Sequence, residues 1–404
     1  MSAGEQATGA HPGTAGEVFR VFLGLGLTSF GGPVAHIGYF RDAFVVQRRW
    51  MSERAYADLV ALCQFLPGPA SSQVGMAIGL QRAGYLGMLA AWTAFTLPSA
   101  ILLVVFAYGA GAFGAEAGTG WIQGLKAAAV AVVAHAVLSM ARSLAPDAER
   151  ATVAVGGMIL AMLIPTAIGQ ILVILAGGLV GLAWLRPTAR DDRAHDAISI
   201  PIRRRTAGGF LIAFFALLVA LPLAAASIGS GVVQMIDSFY RAGALVFGGG
   251  HVVLPLLQAE VVETGLVARE DFLAGYGAAQ AVPGPLFTFA AYLGAVHLVP
   301  PSGFAGAAIA LVAIFVPSAL LILGALPFWD RLRAAPLAQK ALLGVNAAVV
   351  GLLAAALYDP VFTEGITSPI AMAIASASFV ALLMWKTPAW AVVMLAAVAG
   401  FLFL

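Results

Sequence analysis

Charge is the scarcest commodity in this 404-residue chain: only 10% of its residues are Asp, Glu, Lys or Arg, and the formal net charge is +2. So thin a polar shell cannot cover a water-soluble domain, and a balance so near neutrality offers no basic face for nucleic acid. Cysteine is nearly absent too. Cys63 stands alone, which excludes an intramolecular disulfide and a thiolate metal cluster. No GxxxxGKS/T phosphate loop is present, so the chain encodes no ATP motor of that kind, and HExxH, GxSxG and GxGD-type patterns are missing as well. Neither an enzyme nor a cofactor is expected. The first sixteen residues have no basic start and no apolar centre; they read as a short disordered tail and not as a signal peptide.

What is abundant is apolar sequence, 61% of the chain, in long recurring segments. The expectation is an all-α polytopic membrane protein with about thirteen spans, near 17–39, 55–80, 84–111, 121–142, 151–166, 168–186, 207–228, 233–256, 272–297, 302–326, 337–358, 367–384 and 387–404. One long polar break, 186–205, carries Arg186, Arg190, Arg193, Arg203, Arg204 and Arg205, and such a cluster belongs in the cytoplasm.

Four short motifs occur twice in the same order. FGG at 30–32 returns at 247–249, QFLPGP at 64–69 returns as QAVPGP at 280–285, LPSA at 97–100 as VPSA at 316–319, and GLKAAAV at 124–130 as GVNAAVV at 344–350. A nearly constant offset over four collinear motifs divides the chain into a tail (1–16), a first repeat (17–186), a linker with one connecting span (187–232) and a second repeat (233–404). Six spans plus one connector invert the second repeat relative to the first. Loop charges agree in part: Arg142 and Arg150 follow the GLKAAAV helix, whereas Asp359 and Glu364 follow its counterpart, and 112–120 lacks Lys and Arg where 327–340 has Arg331, Arg333 and Lys340. Straight spans nevertheless put the basic stretch 41–54 outside and the acidic stretch 257–271 inside. Were both PGP segments re-entrant, these loops would change sides, and the sequence leaves the two paths open.

Inverted repeats with interrupted helices are the pattern of a secondary transporter whose site lies between the halves. A helix that restarts after Pro67-Gly68-Pro69, and another after Pro283-Gly284-Pro285, each aim unbonded N–H groups at the break, which favours an anion. Ser71, Ser72, Gln64, Gln73, Gln280 and Thr288 are the candidate side-chain donors. A plain proline kink is the alternative, but kinks have no reason to recur at one repeat position. Lys126, with Asn346 as its counterpart, is either an anion partner at depth or a lysine snorkelling to the surface. Gly31, Gly32, Gly248 and Gly249 serve close helix packing or lend N–H groups through left-handed turns. His36, His251 and Glu53 are candidate proton carriers; the histidines fit equally well as residues satisfied by neighbours, and Glu53 fits a helix start capped by Ser52.

Residues 30–79, from FGGPVAHIGYF through QFLPGPASSQVGMAIG, resemble the N-terminal signature of the chromate ion transporter family, and FGGGHVVLPLLQ, QAVPGPLFTFAAYLG and GVNAAVVGLL resemble its C-terminal half. The resemblance covers the chain from about residue 17 onward. It implies a bacterial inner-membrane protein of the long, two-domain type with about thirteen spans, its N-terminus inside and C-terminus outside, exporting chromate from the cytoplasm and conferring chromate resistance. A negative-inside potential would drive a dianion outward by itself, and coupling to the proton motive force would need one of the titratable carriers. It lends weight to Gly31, Gly32, Glu53, Gln64, Pro67, Gly68, Pro69, Lys126, Gly248, Gly249, Gln280, Pro283, Gly284, Pro285 and Asn346. Sulfate or a related oxyanion shares chromate's charge and shape and stays open as the substrate, as does an anion channel as the mechanism. The expected partners are the oxyanion, the lipid bilayer and, as an open possibility, a second copy of the chain.

Overall fold

The structure, a computed structural model, describes residues 13–117, 120–186, 202–333 and 335–404. Residues 1–12 of the expected tail and 187–201 of the arginine-rich loop lie outside the described residues; the expected tail ran to residue 16, but a helix capped by Thr14 already begins at Ala15. Every described element is helical. The first half contains α1 (Ala15–Thr28), α2 (Gly32–Arg41, prolonged by a π-turn Asp42–Gln47), α3 (Glu53–Phe65), α4 (Ala70–Ala117), α5 (Gly120–Leu144), α6 (Ala148–Leu163) and α7 (Ala167–Trp184). After α8 (Arg204–Ile228) come α9 (Gly231–Ala244), α10 (Val253–Leu257, with a 3-10 turn Gly250–Val252 before it and a π-turn Gln258–Val262 after it), α11 (Arg269–Ala281) and α12 (Phe289–Ala295, entered by a 3-10 turn Leu286–Thr288). The chain ends with α13 (Gly303–Ala325), α14 (Trp329–Arg333), α15 (Pro336–Ala356, prolonged by Leu357–Phe362), α16 (Thr363–Gly365), α17 (Pro369–Leu383) and α18 (Ala389–Phe403). Six stretches among the described residues, 70–109, 120–144, 167–184, 204–228, 303–328 and 336–365, are long and apolar enough to cross a bilayer. This is a multi-pass membrane protein.

The expected spans 17–39, 55–80, 233–256 and 272–297 are each two short helices. At about 1.5 Å per residue, the 13 residues of α3 reach only about 20 Å, short of a ~30 Å hydrocarbon core. The break between α1 and α2 falls where Gly31 and Gly32 adopt φ of 100° and 75°, and the break after α3 falls at the PGP motif.

Both pairs fold back instead of running on. Phe22 of α1 stacks on Phe44 with ring centroids 5.0 Å apart, although a straight helix would separate them by roughly 30 Å. Phe44 in turn stacks on Trp50, the Arg82 guanidinium lies 4.7 Å over the Trp50 ring, and Arg82 pairs with Glu17 at 3.1 Å. Residues 13–17, 50 and 82 therefore share one end, where the Gly13 N–H also donates to the Arg82 carbonyl at 3.1 Å. The first half thus opens with two helical hairpins entered from one end, their tips at FGG and PGP. At Ala83 and Gly84 the backbone leaves helical geometry and reverses, so that Gly79 and Gly87 meet backbone to backbone. α4 is consequently a 70–82 arm folded against a crossing helix from 85 onward.

The second half repeats this course. The Leu298 N–H donates to the Leu266 carbonyl at 2.9 Å, Gly231 abuts Pro300, and Gly294 meets Gly306 as Gly79 meets Gly87. Aromatic rings fill both hairpin pairs: Phe22, Phe40, Phe44 and Phe95 in one, Phe272, Tyr276, Phe289 and Tyr292 in the other. The last helices of each half are exchanged. α6 and α7 pack on α15 through Gly157, Gly177 and Gly181, while α17 and α18 pack on α5, where Gly120 and Gly124 meet Gly400 and Ala396. α8 lies along the outside against α9 and α13.

Candidate anion site at the paired breaks

The tips of the hairpins meet across the two halves. The Gly68 N–H donates to the carbonyl of Val246 at 2.7 Å, and the Gly284 N–H donates to the carbonyl of Ser29 at 2.8 Å. Val246 and Ser29 each immediately precede an FGG motif, so each PGP break docks on the other half's FGG break. Gly68 and Gly284 hold φ of 118° and 99°, a region that residues with a Cβ avoid. A Cβ on Gly68 would overlap the Ser318 hydroxyl; one on Gly284 would lie 2.8 Å from the Ser99 hydroxyl.

Ser99 and Ser318 follow Pro98 and Pro317 inside α4 and α13, and both are fully buried. Ser99 donates to the Thr96 carbonyl at 3.0 Å, whereas Ser318 Oγ has no partner among the described residues. Sequence reasoning recorded LPSA and VPSA as repeat markers and missed their serines as site residues. The available signal was a duplicated hydroxyl directly after a helix-interior proline.

Around the crossing, several buried polar atoms are unpartnered among the described residues: Ser29 Oγ, Ser72 Oγ, Thr96 Oγ1, Gln73 Oε1, Ser318 Oγ and Gln280 Nε2. Hydroxyls and the amide Nε2 donate, and an unmade buried hydrogen bond costs about 1–3 kcal/mol. The 70–82 arm adds the N–H groups of Ala70, Ser71 and Ser72, because its first bond within this turn is Gln73 N–H to the Pro69 carbonyl at 2.9 Å. Unpartnered donors near the start of a helix suit an anion, which brings acceptors and no donors of its own, whereas Gln73 Oε1 is an acceptor and would need a donor elsewhere.

The remaining candidates separate into three groups. At the breaks, Gln73 Nε2 donates to the Pro67 carbonyl at 2.7 Å and the Thr288 hydroxyl donates to the Pro285 carbonyl at 2.8 Å, each bracing its own PGP turn. His36 is fully buried and bridges the halves of the first hairpin pair; with the proton on Nε2 it donates to Ser29 O at 3.1 Å, leaving Nδ1 3.4 Å from the Ser71 hydroxyl. Near the crossing but not in it, His251 Nδ1 lies 3.1 Å from the Tyr276 hydroxyl, and Gly248 packs on Met140, Leu144 and Val349. Lys126, 3% exposed on α5, lies near enough to the Asp271 carboxylate on α11 to interact with it electrostatically, and the carbonyl of its neighbour Leu125 abuts Gly277, three residues before Gln280. Asn346 Oδ1 on α15 is buried without a partner among the described residues. Gln64 and Gly31 stand at the breaks with exposed faces; away from the breaks, Glu53 pairs with Arg41 at 2.6 Å at the open end of the hairpins, where Ser52 caps α3 by accepting the Ala55 N–H at 3.1 Å. Among the described residues no group of three His, Cys, Asp or Glu side chains is placed to hold a metal.

A family model described as "Chromate transporter" matches residues 16–182 and again 233–401. The chain belongs to the chromate transporter family. Relatives include a probable chromate transport protein of Synechococcus elongatus, 28% identical over 96% of this chain and 95% of the relative, and a chromate transport protein of Pseudomonas aeruginosa, 29% identical over 96% and 92%. A chromate transport protein of Cupriavidus metallidurans is 26% identical over 84% of this chain and 81% of its own. No solved structure matches the chain. In this chromate transporter family member, both matched segments contain one FGG break, one PGP break and one buried serine after a helix-interior proline, so the family signature and the crossing coincide.

Proposed function

We propose that the protein is a secondary transporter that exports chromate from the cytoplasm, driven by the membrane potential or the proton motive force, and so confers chromate resistance. The observation that carries this reading is the reciprocal docking of the two PGP glycines on the opposite FGG carbonyls, within a shell of unpartnered donors. The two segments 17–186 and 233–404 act as inverted repeats related through this crossing, with 187–232 as linker and connecting helix. Substrate binding is assigned to Gly31, Gly32, Gln64, Pro67, Gly68, Pro69, Ser71, Ser72, Gln73, Lys126, Gly248, Gly249, Gln280, Pro283, Gly284, Pro285, Thr288 and Asn346, to which Ser29, Ser99 and Ser318 are added. Moving one charge across 100 mV is worth about 2.3 kcal/mol, and a dianion leaving a negative interior gains about twice that.

The proposed path through the inner membrane has nine crossings and four re-entrant hairpins in place of thirteen straight spans. The N-terminus is cytoplasmic and the C-terminus periplasmic. On this path Arg48, Arg49, Arg54, Arg142, Arg150, Arg186, Arg331, Arg333, Lys340 and Lys386 all face the cytoplasm, whereas Glu263, Glu270, Asp271, Asp359 and Glu364 face outward. The outward Arg269 is engaged by Glu263 at 3.3 Å and Asp359 at 3.1 Å. Val46→Cys and Glu270→Cys, made in a Cys63→Ser background, test the path. An impermeant maleimide is expected to label residue 46 only in inside-out vesicles and residue 270 only in right-side-out vesicles; straight spans require the reverse.

Flux of labelled chromate in proteoliposomes, with sulfate as competitor, tests the function. Saturable chromate movement that sulfate competes with weakly is the expected result. Sulfate movement without chromate movement would reassign the substrate, and single-channel currents would replace the carrier with a pore.

A further inference from the structure

A second polar cluster lies one turn behind the crossing and has no counterpart in the first half. Arg241, in the last turn of α9, reaches Asp237 on its own helix and Glu260 on the returning arm of the hairpin. Arg241 Nη2 donates to Asp237 Oδ2 at 2.7 Å and to Glu260 Oε2 at 3.0 Å; its Nε lies 2.7 Å from Glu260 Oε1, an ion pair out of line for a hydrogen bond. Both carboxylate side chains are less than a tenth exposed.

We infer that Asp237, Arg241 and Glu260 form a proton-binding site. Two ionised carboxylates on one guanidinium leave a net charge of −1, with both carboxylates largely withdrawn from water and the guanidinium 23% exposed. Burying an uncompensated charge is costly, and a pair of carboxylates relieves that cost by sharing one proton, titrating as a unit. Nothing else nearby supplies a cation. α13 carries no ionisable side chain, Arg204 and Arg205 sit at the far end of α8, and Glu263, three residues past Glu260, is engaged by Arg269. Ser238 on α9 donates its hydroxyl to the Glu260 carboxylate but adds no charge, and the Tyr240 hydroxyl is spent on the Phe214 carbonyl at 2.9 Å. Packing does not demand this cluster either, since in the FGG register the first half places Arg20, Gly24 and Ala43 at the equivalent positions and builds the same hairpin without it.

The position gives the proton a task. Arg241 lies five residues before Val246, whose carbonyl holds the Gly68 N–H, so the charge of the cluster acts on the break where an oxyanion would bind. A dianion there favours the protonated cluster, and by linkage the proton favours the dianion. Only this task rests on the transport reading; the proton itself does not.

Infrared difference spectra of the purified full-length protein, recorded across a pH titration in water and in deuterium oxide, test the binding. A protonated-carboxyl band that titrates in the wild type and is lost in Glu260→Gln or in Asp237→Asn is expected. Both variants leave one carboxylate on Arg241, a neutral pair, so neither should unfold at a lower temperature than the wild type. The absence of the band from the wild type, or its survival unchanged in both variants, overturns the inference. In proteoliposomes, chromate flux in Glu260→Gln is expected to lose the pH dependence of the wild type, and an unchanged pH profile would overturn the coupling. If the wild type moves no chromate while the band behaves as expected, the transport reading fails and the proton site stands.

Discussion

Gly68→Ala and Gly284→Ala are each expected to slow chromate movement by about fivefold to 150-fold while leaving the protein in the membrane. Both glycines hold backbone angles that cost a residue with a Cβ about 1–3 kcal/mol, and both sit under a serine from the other half. In the Gly68 variant the new methyl meets the Ser318 hydroxyl, and in the Gly284 variant it meets the Ser99 hydroxyl at 2.8 Å, tighter than such contacts allow. Relief requires the break to withdraw from the opposite half, which lengthens the Gly68–Val246 or Gly284–Ser29 hydrogen bond and spreads the donors. A shift of that size in a conformational equilibrium is worth about fivefold to 150-fold. Adding Ser318→Gly to Gly68→Ala removes the overlap and leaves the strained φ, so flux should recover only in part. Full recovery would mean that backbone geometry is unimportant, and wild-type flux in either single variant would remove the crossing from the mechanism. Flux in proteoliposomes, normalised to the reconstituted amount, is the measurement.

The second large effect is expected at Lys126. A nearly fully buried ammonium is costly to hold, and the chain keeps one on α5 beside the helix that leads into the second PGP break, with the Asp271 carboxylate of that helix near enough to act on it. Lys126→Ala should therefore reduce chromate flux by the equivalent of about 2 kcal/mol or more, the usual cost of truncating one partner of a buried charge pair, without lowering the unfolding temperature. A residue whose loss spares stability and removes transport is held for its function. Asn346→Ala, at the equivalent place in the other half, removes only a neutral amide and should cost several-fold less. A snorkelling lysine would give the opposite pattern, with normal flux in Lys126→Ala.

The PGP breaks were legible because proline acts on its own neighbours and announces the end of one helix and the start of another wherever the chain goes next. The FGG breaks were not, because glycine only permits a break and the expected spans 17–39 and 233–256 ran straight through them. Folding back was not legible from hydropathy, since two 13-residue helices in a hairpin and one 26-residue span have the same apolar content. The loop charges held the signal. On straight spans the basic 41–54 stretch and the acidic 257–271 stretch stand on the wrong sides, and on the proposed path both stand on the right ones. Distant contacts were out of reach for a different reason. Ser99 and Ser318 are single hydroxyls in apolar helices, and only the fold sets them beside Gly284 and Gly68, which lie 185 and 250 residues away in the sequence. Asp237 and Arg241 form an ordinary pair one turn apart, and Glu260 joins them only because α10 returns along α9. Glu53 shows the converse: its neighbourhood to the signature suggested a proton carrier, and its place at the exposed end of α3, paired with Arg41, is far from the breaks.

Equilibrium binding of chromate to the purified protein, compared with binding to Gly68→Ala and to Gly284→Ala, tests most directly whether the two breaks build one site. The account predicts one chromate bound per chain and loss of that binding in either variant. Two chromates per chain, each variant losing one, would contradict it, as would binding that neither substitution alters.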